Sequence, residues 1–315
     1  MAIVREKNRR FYDQYVANLI HGSFAEYEDR IAVGIAGEGS DCFGYDDQIS
    51  RDHDFGTGVC LWLSDEDMRL FGQRLSDAYN ELVDSAERSY YTERLRERRG
   101  VMTVHDFYSN ILHVDCDTEN CRLTEDQWYG LDHSCLKTAT NGEIYRDDLG
   151  LFTAFRQYLL NYYPDRVWRL RIAEQLHEYA SSFQVNYARC MTRRDTVAAE
   201  LCRAKGIRSA MELFFLLKRE YPPYYKWTYR ALSDLDGEGS FSAKIKEAAE
   251  ERIRTEAWEG TKYLPNRLNY KDRIVSLSEE IASEIEQMLV ERDLIKRRGR
   301  YLELHVDELL SGLRD

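Results

Sequence analysis

Proline is scarce, with four in 315 residues, so few points along the chain force a helix to stop. No apolar run approaches the ~20 residues needed to span a bilayer, which argues against a membrane protein. Met1-Ala-Ile-Val-Arg-Glu-Lys7 turns charged at once. Without an apolar h-region no secretory leader is expected, and the expected location is cytoplasmic. The seven cysteines are odd in number and scattered, which suits reduced thiols better than a disulfide framework. His113, Cys116, Cys121, His133 and Cys135 lack the regular spacing of a zinc knuckle. No G-x-S-x-G elbow is present, so a Ser/His/Asp nucleophile is unsupported. A basic excess is also missing. The net charge of -12 disfavours a long DNA or RNA partner, whose phosphates call for a cationic surface.

What the chain has is an ordinary apolar fraction of 43%, many tyrosines and two regions of different character. Phe11, Tyr12, Tyr15, Val16, Leu19 and Ile20 recur at helical spacing within 5–28. Residues 30–37 read as an apolar strand ending in glycine, and 55–63 as a second strand with Val59, Leu61 and Leu63 on one face. Ser64-Asp-Glu-Asp67 is a helix start, because Ser64 can cap free amides and the three acids suit the positive end of the helix dipole. Glu93–Arg99 mixes charge signs and reads as a solvated helix face. Val101–Val104 predicts a third strand, Asn141-Gly142 a turn and Glu143–Tyr145 a further strand. From 151 onward helical spacing prevails, interrupted by a polar linker at 234–240, with 241–257 and 271–312 again helical. The expected fold is α+β: an α/β module with a small mixed sheet over 1–150, then an α-helical domain over 151–315.

Two segments carry the candidate chemistry. Gly37-Glu-Gly39-Ser40 follows a strand, and glycines there let a ligand approach the backbone. Amides heading the next helix could meet phosphate. Ser50-Arg-Asp52-His-Asp54 opens the next strand, and residues two apart in a strand face one way. Asp52 and Asp54 can thus present two hard oxygen ligands suited to Mg²⁺. Paired ions of that kind clamp the attacking and leaving oxygens of nucleotidyl transfer. Asp106, just past the third strand, can cap a helix beginning at Phe107. Further on, Asn186, Arg189, Arg193, Arg194 and Lys226 are candidate phosphate or acceptor contacts. Tyr224, Tyr225 and Trp227 around Lys226 could stack a base or fill an interhelical seam.

Gly39-Ser40-x-x-x-Gly44 followed by Ser50-x-Asp52-x-Asp54 resembles the signature of the nucleotidyltransferase (polymerase-beta-like) superfamily. Within it the chain resembles the DUF4037 family over 37–55, Ala139–Tyr145, Gln184-x-Asn186-Tyr-x-Arg189, Tyr224–Trp227 and Leu268–Asp272. The gap from Ser40 to the first aspartate is one residue longer than the commonest superfamily pattern. The resemblance implies an enzyme that moves a nucleoside monophosphate from ATP or another nucleoside triphosphate to a hydroxyl acceptor on a small molecule or protein. It implies Gly39 and Ser40 on the phosphates, Mg²⁺ on Asp52 and Asp54, and Asp106 as the candidate third acid. It also implies a helical domain that closes over the nucleotide, which keeps Lys226 as a binding candidate beside Asn186 and Arg189. The alternative is a catalytically inactive protein of the same fold that binds nucleotide or regulates. The oligomeric state is not specified.

Overall fold

The computed structural model describes residues 3–45, 57–86, 98–237, 239–264, 267–296, 299–311 and 313. The chain divides into two compact units, 1–162 and 163–315. The first is α+β and the second is helical among the described residues.

The first unit is built on a four-stranded mixed sheet: β1 (Ala32–Ile35), β2 (Cys60–Leu63), β3 (Gly100–Thr103) and β4 (Glu143–Arg146). Its spatial order is β3-β2-β1-β4. β1 is antiparallel to both neighbours, whereas β2 and β3 run parallel. A parallel pair cannot be closed by a tight turn, and the long segment between β2 and β3 contains the helix Gln73–Ala86. Every residue of β1 and β2 is buried, as expected of central strands covered on both faces.

Period-two alternation sorts those side chains between two layers. Val33, Ile35, Leu61 and Leu63 pack with Phe11, Tyr12, Val16 and Ile20 from the N-terminal helical segment and Phe71, Leu75 and Tyr79 from the segment after β2. Trp62 points the other way, where it stacks on Phe152 with ring centroids 3.8 Å apart and meets Phe107 edge-on. Tyr108 also stacks on Phe152 and donates its hydroxyl to the Phe152 carbonyl at 3.2 Å. These contacts hold the helix Leu151–Leu160 within the first unit, although the change to helical spacing begins at its first residue.

Several sequence expectations meet local corrections. Residues 5–28 are not one regular helix: Ile3–Phe11 passes through a wide π-type turn at Tyr12–Val16 into Ala17–Ser23, and a 3₁₀ stretch follows at Ala25–Arg30. Ser64 caps as expected, accepting from the Asp67 amide at 3.0 Å. Asp106 caps nothing, because the helix begins earlier, at Val104. Thr103 is the cap, and its hydroxyl accepts from the Asp106 amide at 2.9 Å. The polar linker shrinks, since helix Tyr225–Asp236 runs through Asp234 and the next helix starts at Ser240. The stretch 271–312 is helical in separate pieces, Arg273–Glu291, Leu302–His305 and Val306–Ser311.

In the second unit the longest helix, Thr196–Lys218, packs against Asp165–Tyr179 and the wide-turn segment Ala180–Asn186. Trp168 Nε1 donates to the Leu216 carbonyl at 2.8 Å. Asp272 is 2% exposed and fastens three segments. Its carboxylate accepts from Tyr187 Oη at 3.0 Å, Trp258 Nε1 at 2.7 Å and the Ile274 amide at 3.0 Å. No described helix is long and apolar enough to cross a membrane.

Candidate functional site

β1 runs out into Ala36 and Gly37, and Gly39 opens a short helix, Ser40–Phe43, closed by Gly44. Gly39 has φ 119°, and a Cβ there would sit 2.4 Å from Asp41 Oδ1, so the turn is made for glycine. The loop is held from three directions. Asn141, 104 positions away, accepts from the Gly37 amide and donates to the Gly37 carbonyl, both at 2.8 Å. Gly142 donates its amide to the Cys42 carbonyl at 3.0 Å. Its own Cβ would lie 1.9 Å from the Ile35 carbonyl, with φ at 78°, so only glycine fits this close approach. Arg5 Nε donates to the Asp41 carbonyl at 3.0 Å.

Beneath the loop lies a buried charge pair. Arg99 is 3% exposed, and its Nη2 bonds Asp41 Oδ2 at 3.0 Å and Cys42 Sγ at 3.1 Å. Nη1 donates to the Ala36 carbonyl at 3.1 Å. Burial by itself lowers the guanidinium's pKa, but the groups around it, Asp41 among them, more than offset this and Arg99 stays charged. Burial pushes the Cys42 thiol up to about 12, and Cys60 moves up for the same reason. Both are therefore neutral packing groups rather than nucleophiles. Arg99 is thus no part of the solvated face predicted for Glu93–Arg99, because Asp41 and the Ala36 carbonyl draw it inside. Its neighbour Arg98 turns to the loop as well, pairing with Glu38 at 2.8 Å.

The β1–β2 register pairs Gly34 with Cys60. The end of β1, where the glycine loop departs, therefore lies beside the start of β2. Ser40 is half-buried, and its hydroxyl bonds to no described residue. Asp52 and Asp54, the candidate metal ligands, lie outside the described residues. Among the described residues, no group of three or more His, Cys, Asp or Glu side chains could hold a metal.

Asp106 sits in the first turn of helix Val104–Leu112 with its side chain 59% exposed. His105 Nδ1 lies 3.6 Å from its carboxylate. His105 also meets Asp115 at 2.8 Å, and these hydrogen bonds, Asp115 first, raise its pKa. β3 itself carries no acid, its four residues being Gly100, Val101, Met102 and Thr103. Both strands of the parallel pair end near this point, and Leu63, Asp65, Val104, His105 and Glu119 line a cavity of about 260 Å³. That cavity is at the opposite end of β2 from the glycine loop.

In the second unit, Arg189 Nη1 donates to Asn186 Oδ1 at 3.3 Å, and the guanidinium lies 5.3 Å from the Tyr263 ring centre. Lys226 lies over the Trp227 ring at 5.2 Å. Trp227 is buried and donates to Tyr224 Oη at 2.8 Å, while Tyr225 is 92% exposed. Trp227 therefore fills a seam and Tyr225 does not. Gln184 is structural: its amide donates to Glu279 Oε1 at 2.9 Å and its oxygen accepts from the Leu302 amide at 3.1 Å. Arg193 and Arg194 are both exposed at the turn between two helices.

Residues 128–228 match the family model described as "Domain of unknown function (DUF4037)". The chain carries a DUF4037 domain. The matched stretch spans about a third of the chain and runs from helix Glu125–Gly130 into helix Tyr225–Asp236. It takes in Asn141 and Gly142, Gln184, Arg189 and Lys226. The DUF4037 stretch thus contributes the clamp on the glycine loop, while the loop itself lies upstream of it. No curated protein and no solved structure matches the chain.

Asn141, Arg99 and Asp41 are the residues that sequence reasoning passed over. Asn141-Gly142 reads as a turn, and a turn it is, but its partner is Gly37. Arg99 beside Arg98 looks like surface. A local reading holds no signal for either contact.

Proposed function

We propose that the protein is a Mg²⁺-dependent nucleotidyltransferase, moving a nucleoside monophosphate from ATP or another nucleoside triphosphate to a hydroxyl on a small molecule or protein. The observation that carries this reading is the glycine loop. It is a clamped turn at the end of β1, headed by a serine whose hydroxyl bonds no described residue, beside the start of β2. Gly39 and Ser40 would hold the phosphates. Asp52 and Asp54, in the sequence just before β2, would hold Mg²⁺ through the carboxylate chemistry that hard cations take. The protein's part would be positioning and charge stabilisation rather than covalent chemistry. Asn186, Arg189 and Lys226, on the second unit, are candidate phosphate contacts through the chemistry of their side chains alone.

The test is pyrophosphate release from Mg²⁺ and labelled nucleotides. Wild type should release it, and Asp52→Asn with Asp54→Asn should not, with an unchanged circular dichroism spectrum. Equal release from the double variant would sink the assignment. A second reading, nucleotide binding or regulation without transfer, draws on Asp106, whose carboxylate is exposed beside His105 rather than carried on β3. Mg²⁺-dependent nucleotide binding by calorimetry, with no pyrophosphate from any acceptor, would favour that reading.

A further inference from the structure

Arg156, on the helix Leu151–Leu160 of the first unit, is half-buried. Its guanidinium makes one hydrogen bond to a described residue, from Nη2 to the Thr140 carbonyl at 2.7 Å. Nε is buried and has no acceptor. An arginine carries five N–H donors, so most of this fork meets no acceptor among the described residues. No described carboxylate pairs with it either. Arg99, Arg146 and Arg203 are drawn inside as well, and each meets an acid: Asp41, Glu28 with Asp148, and Glu200. Taking a guanidinium out of water is costly unless an anion or a full set of hydrogen bonds offsets it. Burial accordingly lowers the pKa of Arg156, with only the Tyr108 hydroxyl working the other way. Its place bears on the glycine loop. Thr140 directly precedes Asn141, whose amide holds Gly37 by two bonds of 2.8 Å. Followed through these bonds and contacts, the guanidinium lies within about 12 Å of Gly37. The arginines that touch the loop itself are committed. Arg5 donates to the Asp41 and Cys42 carbonyls, Arg98 pairs with Glu38, and Arg99 pairs with Asp41.

We propose that Arg156 is a phosphate-binding residue of the glycine-loop site, its guanidinium fork taking the polyphosphate of a nucleoside triphosphate through paired N–H···O bonds. The identity of the anion rests on the nucleotidyltransferase reading, whereas the unsatisfied cation does not. A polyphosphate brings the oxygens and the negative charge that Arg156 lacks. The buried charge then opposes the free protein and favours the complex. This gives the residue a signature. Removing the cation relieves the free protein and weakens the complex. Thr140 ends the helix His133–Thr140, and an arginine that served only to hold that helix end would behave in the opposite way. Its loss would weaken the fold and leave the ligand unaffected.

The experiment is calorimetric binding of inorganic triphosphate, with Mg²⁺, to the full-length chain, alongside urea melts of the free protein. Arg156→Gln should bind ~10- to 100-fold more weakly than wild type, as expected when charge-assisted hydrogen bonds are lost. Its urea midpoint should equal or exceed that of wild type. Arg156→Lys keeps the charge without the fork and should fall between the two. In wild type, phenylglyoxal modification mapped by mass spectrometry should spare Arg156 when triphosphate is present. That measurement needs no variant, and it decides the matter if Arg156→Gln melts early. The proposal is overturned if triphosphate does not bind wild type, if it binds wild type and Arg156→Gln equally, or if Arg156 is modified equally with and without it. Pyrophosphate release separates this outcome from that of the function. Release by wild type with an unchanged nucleotide KM in Arg156→Gln strikes the residue and leaves the enzyme. Triphosphate binding that depends on Arg156, with no release under any condition, strikes the transfer and leaves the anion site.

Discussion

Replacing Asn141 by alanine should loosen the glycine loop in a measurable way. Asn141 is 8% exposed, and its two bonds to Gly37 are buried and 2.8 Å long. Truncation removes both partners at once and leaves the Gly37 amide and carbonyl to find others. A buried polar group left without a partner costs about 1–3 kcal/mol, so the pair of losses comes to about 2–4 kcal/mol after partial relaxation. Converted at 1.4 kcal/mol per tenfold, local opening of the loop becomes about 30- to 700-fold more frequent. Amide hydrogen exchange followed on peptides covering 31–40 reads this directly, because exchange through local opening tracks that equilibrium. Asn141→Asp separates two causes. It keeps an acceptor for the Gly37 amide but sets an anionic oxygen against the Gly37 carbonyl, so it should exchange at least as fast as the alanine variant. Peptides from 163–315 should not change in either variant. Unaltered exchange at 31–40 in Asn141→Ala would refute the claim that this side chain holds the loop.

Three further outcomes follow from the same structure. Arg99→Met leaves Asp41 buried without its cation and should cost about 3–5 kcal/mol in urea melts, the range for breaking a buried pair; a loss below about 1 kcal/mol would mean the pair is not what supports the loop. Asp272→Ala strips acceptors from Tyr187, Trp258 and the Ile274 amide and should cost about 3 kcal/mol, and Trp258 emission should shift as its indole N–H loses a partner. His105 is raised by Asp115 and, less, by Asp106, so its charged form is favoured by folding. That contribution is complete below the ordinary histidine value of about 6.5 and fades as pH rises through the raised folded value. The His105 midpoint followed by NMR should fall in Asp115→Asn, and an unmoved midpoint would contradict the contact.

The elements that were legible in the sequence are those set by local pattern. Val59, Leu61 and Leu63 alternate, and they do face one layer together. Ser64 precedes three acids, and it caps. Thr103 does both, closing β3 and capping the helix that follows, and the strand pattern of Val101–Val104 hides the second role. The site was less legible because its supports are long-range. Gly37 and Asn141 are brought together by strand pairing of β1 with β4, and no window of sequence contains both. Arg99 looked solvated because its neighbours are charged, whereas its environment is set by Asp41 from a different segment. The quotable motifs divide accordingly. Asn141-Gly142 shapes the loop, while Gln184, Tyr187 and Asp272 are fastenings of the helical unit.

The stacking of Phe152 on Trp62 bears on how the protein can be divided for expression. A fragment ended at 150, where the character of the sequence changes, would discard Phe152 and Phe155 and bare the aromatic face of Trp62, Phe107 and Tyr108. A contiguous apolar patch of that kind invites aggregation. Ending the fragment at 162 keeps the whole aromatic layer, with Trp128 and Leu123 still bonded to the Tyr158 hydroxyl. The serviceable cut therefore lies behind the helix, not in front of it.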